Sequence, residues 1–283
     1  MIVIARLTVS ELVRRRVVWV LAILTFVSVV LVGLGVSRLV DLARERGTLE
    51  LEIRIGISQV LILIAFMFSF VLAMTAAFIG APAIGGDLES GVASAILARP
   101  LRRADILLGR WLGCAMVVAL YAIASGLLAI GVTALVSGYG PPDPVLAVSF
   151  LAGQALVLLT LTLALGSVLP SIAAGAIAVV GFGLGWMAGV MAGVATALGV
   201  TALTQVAELS RWLLPSDGLW RGVIYGLEPP LVALIAAGRE PDLVNANPFY
   251  AATPPPLVFV AWSIAWMVLV LGAATWWFER RDL

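Results

Sequence analysis

Five stretches of the chain carry no charged residue, and they dictate the architecture. Val17–Ser37 lies between Arg16 and Arg38, Ile55–Gly86 between Arg54 and Asp87, and Trp111–Pro142 between Arg110 and Asp143. Pro144–Ala207 runs for 64 residues without a charge, and Leu243–Phe278 is the last such run. A helix crossing a bilayer needs about 20 predominantly apolar residues. The 64-residue run therefore holds two, with the break at Pro170, which has no N–H to continue a helix. Six spans follow, at approximately 17–37, 57–82, 110–137, 145–168, 171–199 and 256–278. The last begins at the Pro254–Pro255–Pro256 run, and an even number of spans puts both termini on one side.

Two connecting segments carry patterns of their own. In the segment 84–105, Asp87 and Glu89 sit where a helix is expected to begin, suited to the positive end of its dipole. Leu88, Val92 and Ile96 then form an i, i+4, i+8 apolar stripe until Pro100 stops it, with Arg99, Arg102 and Arg103 at the exit. Such a short helix cannot bury its stripe within its own loop, so it lies on the membrane or docks into a partner's groove. In the long segment 200–256, Pro215–Ser216–Asp217 starts a helix whose Leu219, Trp220, Val223, Ile224 and Leu227 recur at helical spacing. Arg221 and Glu228 fall off that face. The expectation is a set of helices lying on or dipping into the membrane surface, or a plain loop capped by one helix.

Composition supports the membrane reading and removes most chemistry. Of 283 residues 62% are hydrophobic and 12% charged, against about 25% charged in soluble domains. There is no His and no Lys, so all 17 basic residues are Arg. No Lys means no Walker A loop, and no His means no HExxH site. The single Cys114 excludes an internal disulfide and reads as a packing residue. Asp41, Glu45, Glu50 and Glu52 are interleaved with Arg44, Arg46 and Arg54, the pattern of a charge-paired helix or loop. None of the six runs holds a charge at depth, which argues against an ion-coupled carrier or an intramembrane hydrolase.

Arginine placement orients the chain. With the N-terminus cytoplasmic, the inner segments hold Arg6, Arg14, Arg15, Arg16, Arg99, Arg102, Arg103, Arg110, Arg280 and Arg281. The outer ones hold Arg38, Arg44, Arg46, Arg54, Arg211, Arg221 and Arg239. The positive-inside rule then favours cytoplasmic termini.

The order of residues in the segment 84–105 resembles the ABC-2 type permeases, the membrane subunits of ATP-binding-cassette exporters. Their pattern of an acidic residue, a glycine, Leu-x-x-Pro-x-x-Arg and Ile-Leu-Leu-Gly-Lys finds Asp87 or Glu89, Gly91, Leu97, Pro100, Arg103 and Ile106–Arg110 here. Val92 stands for the usual Thr and Arg110 for the usual Lys. The N-terminal "ARLTVSELVRRRVVWV" resembles the family's amphipathic elbow helix, and "WWFERRDL" its tail. The resemblance implies an all-α integral membrane fold over 1–283 as one permease domain: six spans, the elbow, a cytoplasmic coupling helix and outer helices between spans five and six. It implies a non-enzymatic subunit of the bacterial inner membrane that works as a dimer with a second permease copy and with separate ATPase subunits, which hold the ATP and Mg. No cofactor is expected in this chain, and no nucleic acid is an expected partner. By the same resemblance Asp87, Glu89, Gly91, Arg99, Pro100 and Arg103 form the ATPase-coupling interface. The alternative is a non-transporting scaffold whose outer helices hold an extracytoplasmic partner.

The fifth span places Gly181, Gly185, Gly189 and Gly193 at four-residue intervals, a stripe that lets another helix approach closely. Packing within one subunit and contact across a homodimer both fit it. The resemblance implies that spans two and five line the path, where the second offers Gln59, Met67, Phe68, Ser69, Phe70 and Thr75. Gln154, Thr160 and Thr162 on the fourth span are expected to hydrogen-bond to neighbouring helices or to their own backbone.

Overall fold

The computed structural model describes residues 1–14, 16–89, 102–230, 232 and 247–280. Among them the chain forms nine α-helices and no strand: α1 (Ile2–Arg14), α2 (Arg16–Glu45), α3 (Glu50–Glu89), α4 (Arg103–Ser137), α5 (Pro144–Gly166), α6 (Ser171–Ala197), α7 (Thr201–Leu213), α8 (Ser216–Leu227) and α9 (Leu257–Arg280). Six of these, α2 to α6 and α9, are long and apolar enough to cross a membrane. The other three are 12 or 13 residues long, short of a span.

Helix α5 occupies the centre because it is the helix with least to offer water. It is uncharged, and buried residues fall on every side of it, from Ala147 to Gly166. It packs against α3, α4, α6, α8 and α9. The main core is built where α3, α4, α5 and α8 meet, from side chains such as Leu61, Leu72, Val118, Leu158, Trp220 and Ile224. Cys114 is fully buried in it. Pro170 separates α5 from α6 by occupying the N-cap, and Asp143 starts α5 by accepting from Leu146 N at 2.9 Å. The polar side chains of α5 hydrogen-bond inside the bundle: Ser69 Oγ donates to Gln154 Oε1 at 2.6 Å, and Trp111 Nε1 to Thr160 Oγ1 at 3.0 Å. Thr162 Oγ1 donates back to Leu158 O.

Helix α1 does not float free of the bundle. Its Ala5, Thr8 and Leu12 are buried, and it packs along α4. Gly109 and Gly113 leave the room: a Cβ on Gly113 would sit 2.6 Å from Thr8 Cβ, and one on Gly109 2.8 Å from Ile4 Cβ. Ion pairs fasten its ends, the Met1 amine to Asp105 at 3.7 Å and Glu11 to Arg110 at 2.7 Å.

Two expectations from the sequence need correction. Asp87 and Glu89 do not lie at the start of a helix; they belong to the last described turn of α3. Helix α3 runs unbroken for 40 residues, past Pro82, to Glu89. Proline removes one hydrogen bond but does not stop a helix whose other bonds are kept by packing, and Ala76, Ile79, Ala81 and Ile84 around it are all buried. The second correction concerns the segment after the fifth span. Helix α8 starts at Ser216 as the spacing predicts, but it neither lies on a surface nor leaves its polar flank in solvent. Ser216, Asp217, Gly218, Leu219, Trp220, Gly222, Val223, Ile224, Gly226 and Leu227 are all buried, and Glu228 with them.

The reason is the path of the chain. Helix α7 packs back along α6 and α8 returns along α5, so the two form a hairpin inserted into the bundle. Its turn reaches Gly185, 12 residues back from the C-terminal end of α6 and roughly 18 Å along its axis. On the other side Gln154 Nε2 donates to Ser216 O at 3.2 Å, 10 residues or about 15 Å into α5. Three glycines of α8 make this insertion fit. A Cβ on Gly222 would overlap the Phe150 ring, one on Gly218 the Phe259 ring, and one on Gly226 would lie 2.8 Å from Asp143 O.

Candidate functional site

Polar groups converge at the two ends of the bundle. At the end that carries the N-terminus, Glu89 closes α3 and reaches across to α6. Its Oε1 accepts from Ser171 N at 2.6 Å, and the Ser171 hydroxyl donates to the same carboxylate at 2.9 and 3.0 Å. A carboxylate on the first N–H groups of a helix satisfies orphan donors and faces the positive end of the dipole. Glu89 thus meets a helix N-terminus, that of α6, 82 residues on. Arg103, at the start of α4, donates through Nη1 to Phe278 O and Glu279 O, both at 3.3 Å, in the last turn of α9. A guanidinium there suits the negative end of that helix.

Of the residues assigned to the coupling interface, then, Glu89 and Arg103 each tie two spans together at this end, and Asp87 lies in the last turn of α3. Gly91, Arg99 and Pro100 lie outside the described residues, as does most of the apolar stripe before them. The sequence reading passed over Gly109 and Arg110 as motif letters. The structure uses both to seat α1, and the alternation of Gly109 and Gly113 was the available signal.

The opposite end holds the buried charges. Asp217, in the first turn of α8, accepts from Arg211 Nε at 2.8 Å and lies 3.7 Å from Arg221 Nε. Only 6% of the Asp217 side chain is exposed, against 25% and 26% for the two arginines. The glycine stripe of α6 makes room for this cluster. A Cβ on Gly189 would overlap the Asp217 carboxylate, and one on Gly185 would lie 3.3 Å from Ser216 Oγ. Gly181 faces Leu214, and Gly193 is buried. Three of the four glycines therefore face the chain's own hairpin.

At the C-terminal end of α8, Glu228 Oε2 accepts from Ala251 N at 3.3 Å, while Oε1 makes no hydrogen bond among the described residues. Burial pushes this carboxyl from 4.5 up to about 7; the Ala251 N–H and, outside hydrogen-bond geometry, the Gln59 amide hold it back only in part. Nearby, the Tyr139 hydroxyl donates to Leu227 O at 2.7 Å and Asp143 N to Gly226 O at 3.1 Å, which fixes the end of the hairpin to the α4–α5 connection. An aromatic cluster sits beside it: Phe66 lies 5.0 Å from Trp186, 5.6 Å from Trp220 and 5.5 Å from Phe249. The sequence reading missed Asp217 and Glu228 as buried groups because it searched only the spans. The i, i+4 spacing of Asp217 and Arg221 was the visible signal.

Between α3 and α6 lies an apolar groove of about 540 Å³, walled by residues including Met74, Phe78, Pro82, Ile172 and Val179. Of the α3 residues expected at a path, Met67 and Phe70 are exposed, while Phe68, Ser69 and Thr75 are buried in packing or hydrogen bonds. Among the described residues no three His, Cys, Asp or Glu side chains come together to hold a metal ion.

No curated protein matches this sequence. The model of the ABC-2 family transporter proteins, however, matches residues 2–283, in line with six helices long and apolar enough to cross a membrane: the chain belongs to that family.

Proposed function

We propose that this chain is the permease subunit of an ATP-driven exporter, acting as a dimer in a bacterial inner membrane with both termini cytoplasmic. A separate ATPase binds ATP and Mg, and the residues Asp87, Glu89, Gly91, Arg99, Pro100 and Arg103 receive its movement. The observation that supports this best is the pair of cross-helix anchors. The connection 90–101 leaves α3 at Glu89, which holds α6, and returns close to Arg103, which holds α9. A push on that connection is thereby delivered to α3, α4, α6 and α9 together, the coupled rigid-body motion that alternating access requires. The groove between α3 and α6 lies on the two spans that the family resemblance assigns to the path.

The test is co-purification of the tagged chain from its native host in mild detergent. A stoichiometric ABC ATPase is expected with the native chain and none with Arg99→Glu, a residue of the connection that is neither of the two anchors. Glu89→Arg alone would confound the two roles of Glu89, so Ser171→Ala serves beside it: it weakens the intramolecular contact and leaves ATPase recovery intact. Recovery of an extracytoplasmic protein with no ATPase would replace the permease reading by that of a scaffold.

A further inference from the structure

Beside the inserted hairpin is a second cavity, of about 260 Å³, whose walls are polar as well as apolar. Arg211 and Arg221 line one side, with Gly218 between them in the first turns of α8. Thr253, Pro255 and Phe259, from the segment entering α9, line the other. Among the described residues two guanidiniums face this space against one carboxylate, Asp217. The two are not equivalent. Arg211 hydrogen-bonds Asp217 and holds the hairpin together, whereas Arg221 stays 3.7 Å away, and among the described residues its buried Nε makes no hydrogen bond. Glu228, the other buried carboxylate of α8, commits one oxygen to Ala251 N.

We propose that this cavity binds an oxyanion of the phosphate type, held by Arg221 and Arg211 on one side and the Thr253 hydroxyl on the other. A surplus guanidinium drawn into the bundle is unfavourable unless it is paired. Its planar fork matches a tetrahedral or planar oxyanion better than it matches a spherical halide. The site lies in the half of the molecule away from the N-terminus and opens beside Ala252 and Thr253, which are exposed. Both a free phosphate and the phosphate of an anionic lipid headgroup, with no choline to compensate its charge, offer the required chemistry. The inference is independent of the coupling reading, since no residue of that interface takes part.

The chain reconstituted in phosphatidylcholine nanodiscs provides the test, with inorganic phosphate and dihexanoyl phosphatidylglycerol as probes and dihexanoyl phosphatidylcholine as the neutral control. Saturable binding of either anionic probe is expected, weakened about tenfold or more in Arg221→Gln, as for loss of a charge-assisted hydrogen bond. Thr253→Trp, which fills the mouth and leaves every charge in place, is expected to weaken binding equally at an unchanged melting temperature. Binding of inorganic phosphate would identify a free anion, and binding of the anionic lipid alone a headgroup. The proposal is overturned if neither probe saturates, or if either variant binds as the native chain does. It is also overturned if binding emerges only in Glu240→Gln/Asp242→Asn, two carboxylates of the segment leading to Asn247 that lies outside the described residues, because the chain's own carboxylates would then be the native occupant.

Discussion

The two ends of this bundle handle charge in opposite ways. Around the N-terminus, ion pairs and caps sit at the surface: Glu89 and Glu11 are exposed, Asp105 is half-buried, and each contact joins the end of one helix to another. At the other end Asp217 and Glu228 are carried inward on a hairpin too short to span, and glycines on α6 and α8 make the space. The first arrangement can be made and broken cheaply, because water takes over from each lost partner. The second cannot, because a broken contact leaves a buried charge. The end that receives a push is thus adjustable, while the far end is a fixed wedge that holds α5 and α6 apart.

The largest expected effect breaks the wedge directly. Gly189→Leu would drive a side chain into the Asp217 carboxylate, and the α7–α8 hairpin could remain only by withdrawing. Overpacking of this kind costs about 1–3 kcal/mol where neighbours yield; here the displaced group is a charge held by Arg211 as well. Loss of the monodisperse peak in detergent is expected, with Gly183→Leu, a position with open space around it, as the tolerated control. Next comes Asp217→Asn, which leaves two partly buried arginines facing each other without an anion. A loss of roughly 2–3 kcal/mol is expected, below the full figure for a buried pair because each arginine keeps about a quarter of its exposure. A melting temperature within a degree of the native value would show that the wedge is not held by charge.

Acidity distinguishes the ends more finely. Glu228 titrates near 7 in the folded chain and at 4.5 without burial, so between those values the native state holds a proton that the unfolded state has released. Stability therefore falls as pH rises from about 4.5 to about 7 and levels off above that, by at most about 3 kcal/mol, reduced by the water that reaches the carboxyl. Glu228→Gln mimics the protonated form: it should flatten this slope in thermal melts and raise stability at pH 8. A slope that persists in the variant would assign the titration to another group.

How much of this was legible in the sequence follows from where each constraint acts. Charge-free runs fix spans because hydrocarbon tolerates no alternative, and the helix at Ser216 was readable from its 3.6-residue period. The insertion of that helix was not. A helix dipping into a bundle and one lying on a membrane show the same apolar stripe, and only Gly218, Gly222 and Gly226, spaced by four, hinted at close approach on the opposite face. Glu89 was misread for a related reason. An acidic residue after a small-residue run marks a helix N-terminus, but the sequence does not say which helix, and the partner Ser171 lies 82 positions away. The coupling residues rest on the family motif, whose middle falls outside the described residues.

The smallest expected effect is at the adjustable end. Glu89→Gln keeps an acceptor for Ser171 N but removes the negative charge facing the α6 dipole. Capping by a neutral oxygen loses only the charge-dependent part, about 0.3–1 kcal/mol at low salt. Raising the ionic strength should shrink the difference further, since the carboxylate is exposed and screened by counterions. Asp217→Asn is expected to show no comparable salt dependence, because its partners are largely out of solvent. Melting both variants at low and high salt therefore measures the contrast between the ends with one variable. Equal salt sensitivity would mean that water reaches the hairpin as freely as it reaches Glu89, and the far end would then be an open vestibule rather than a wedge.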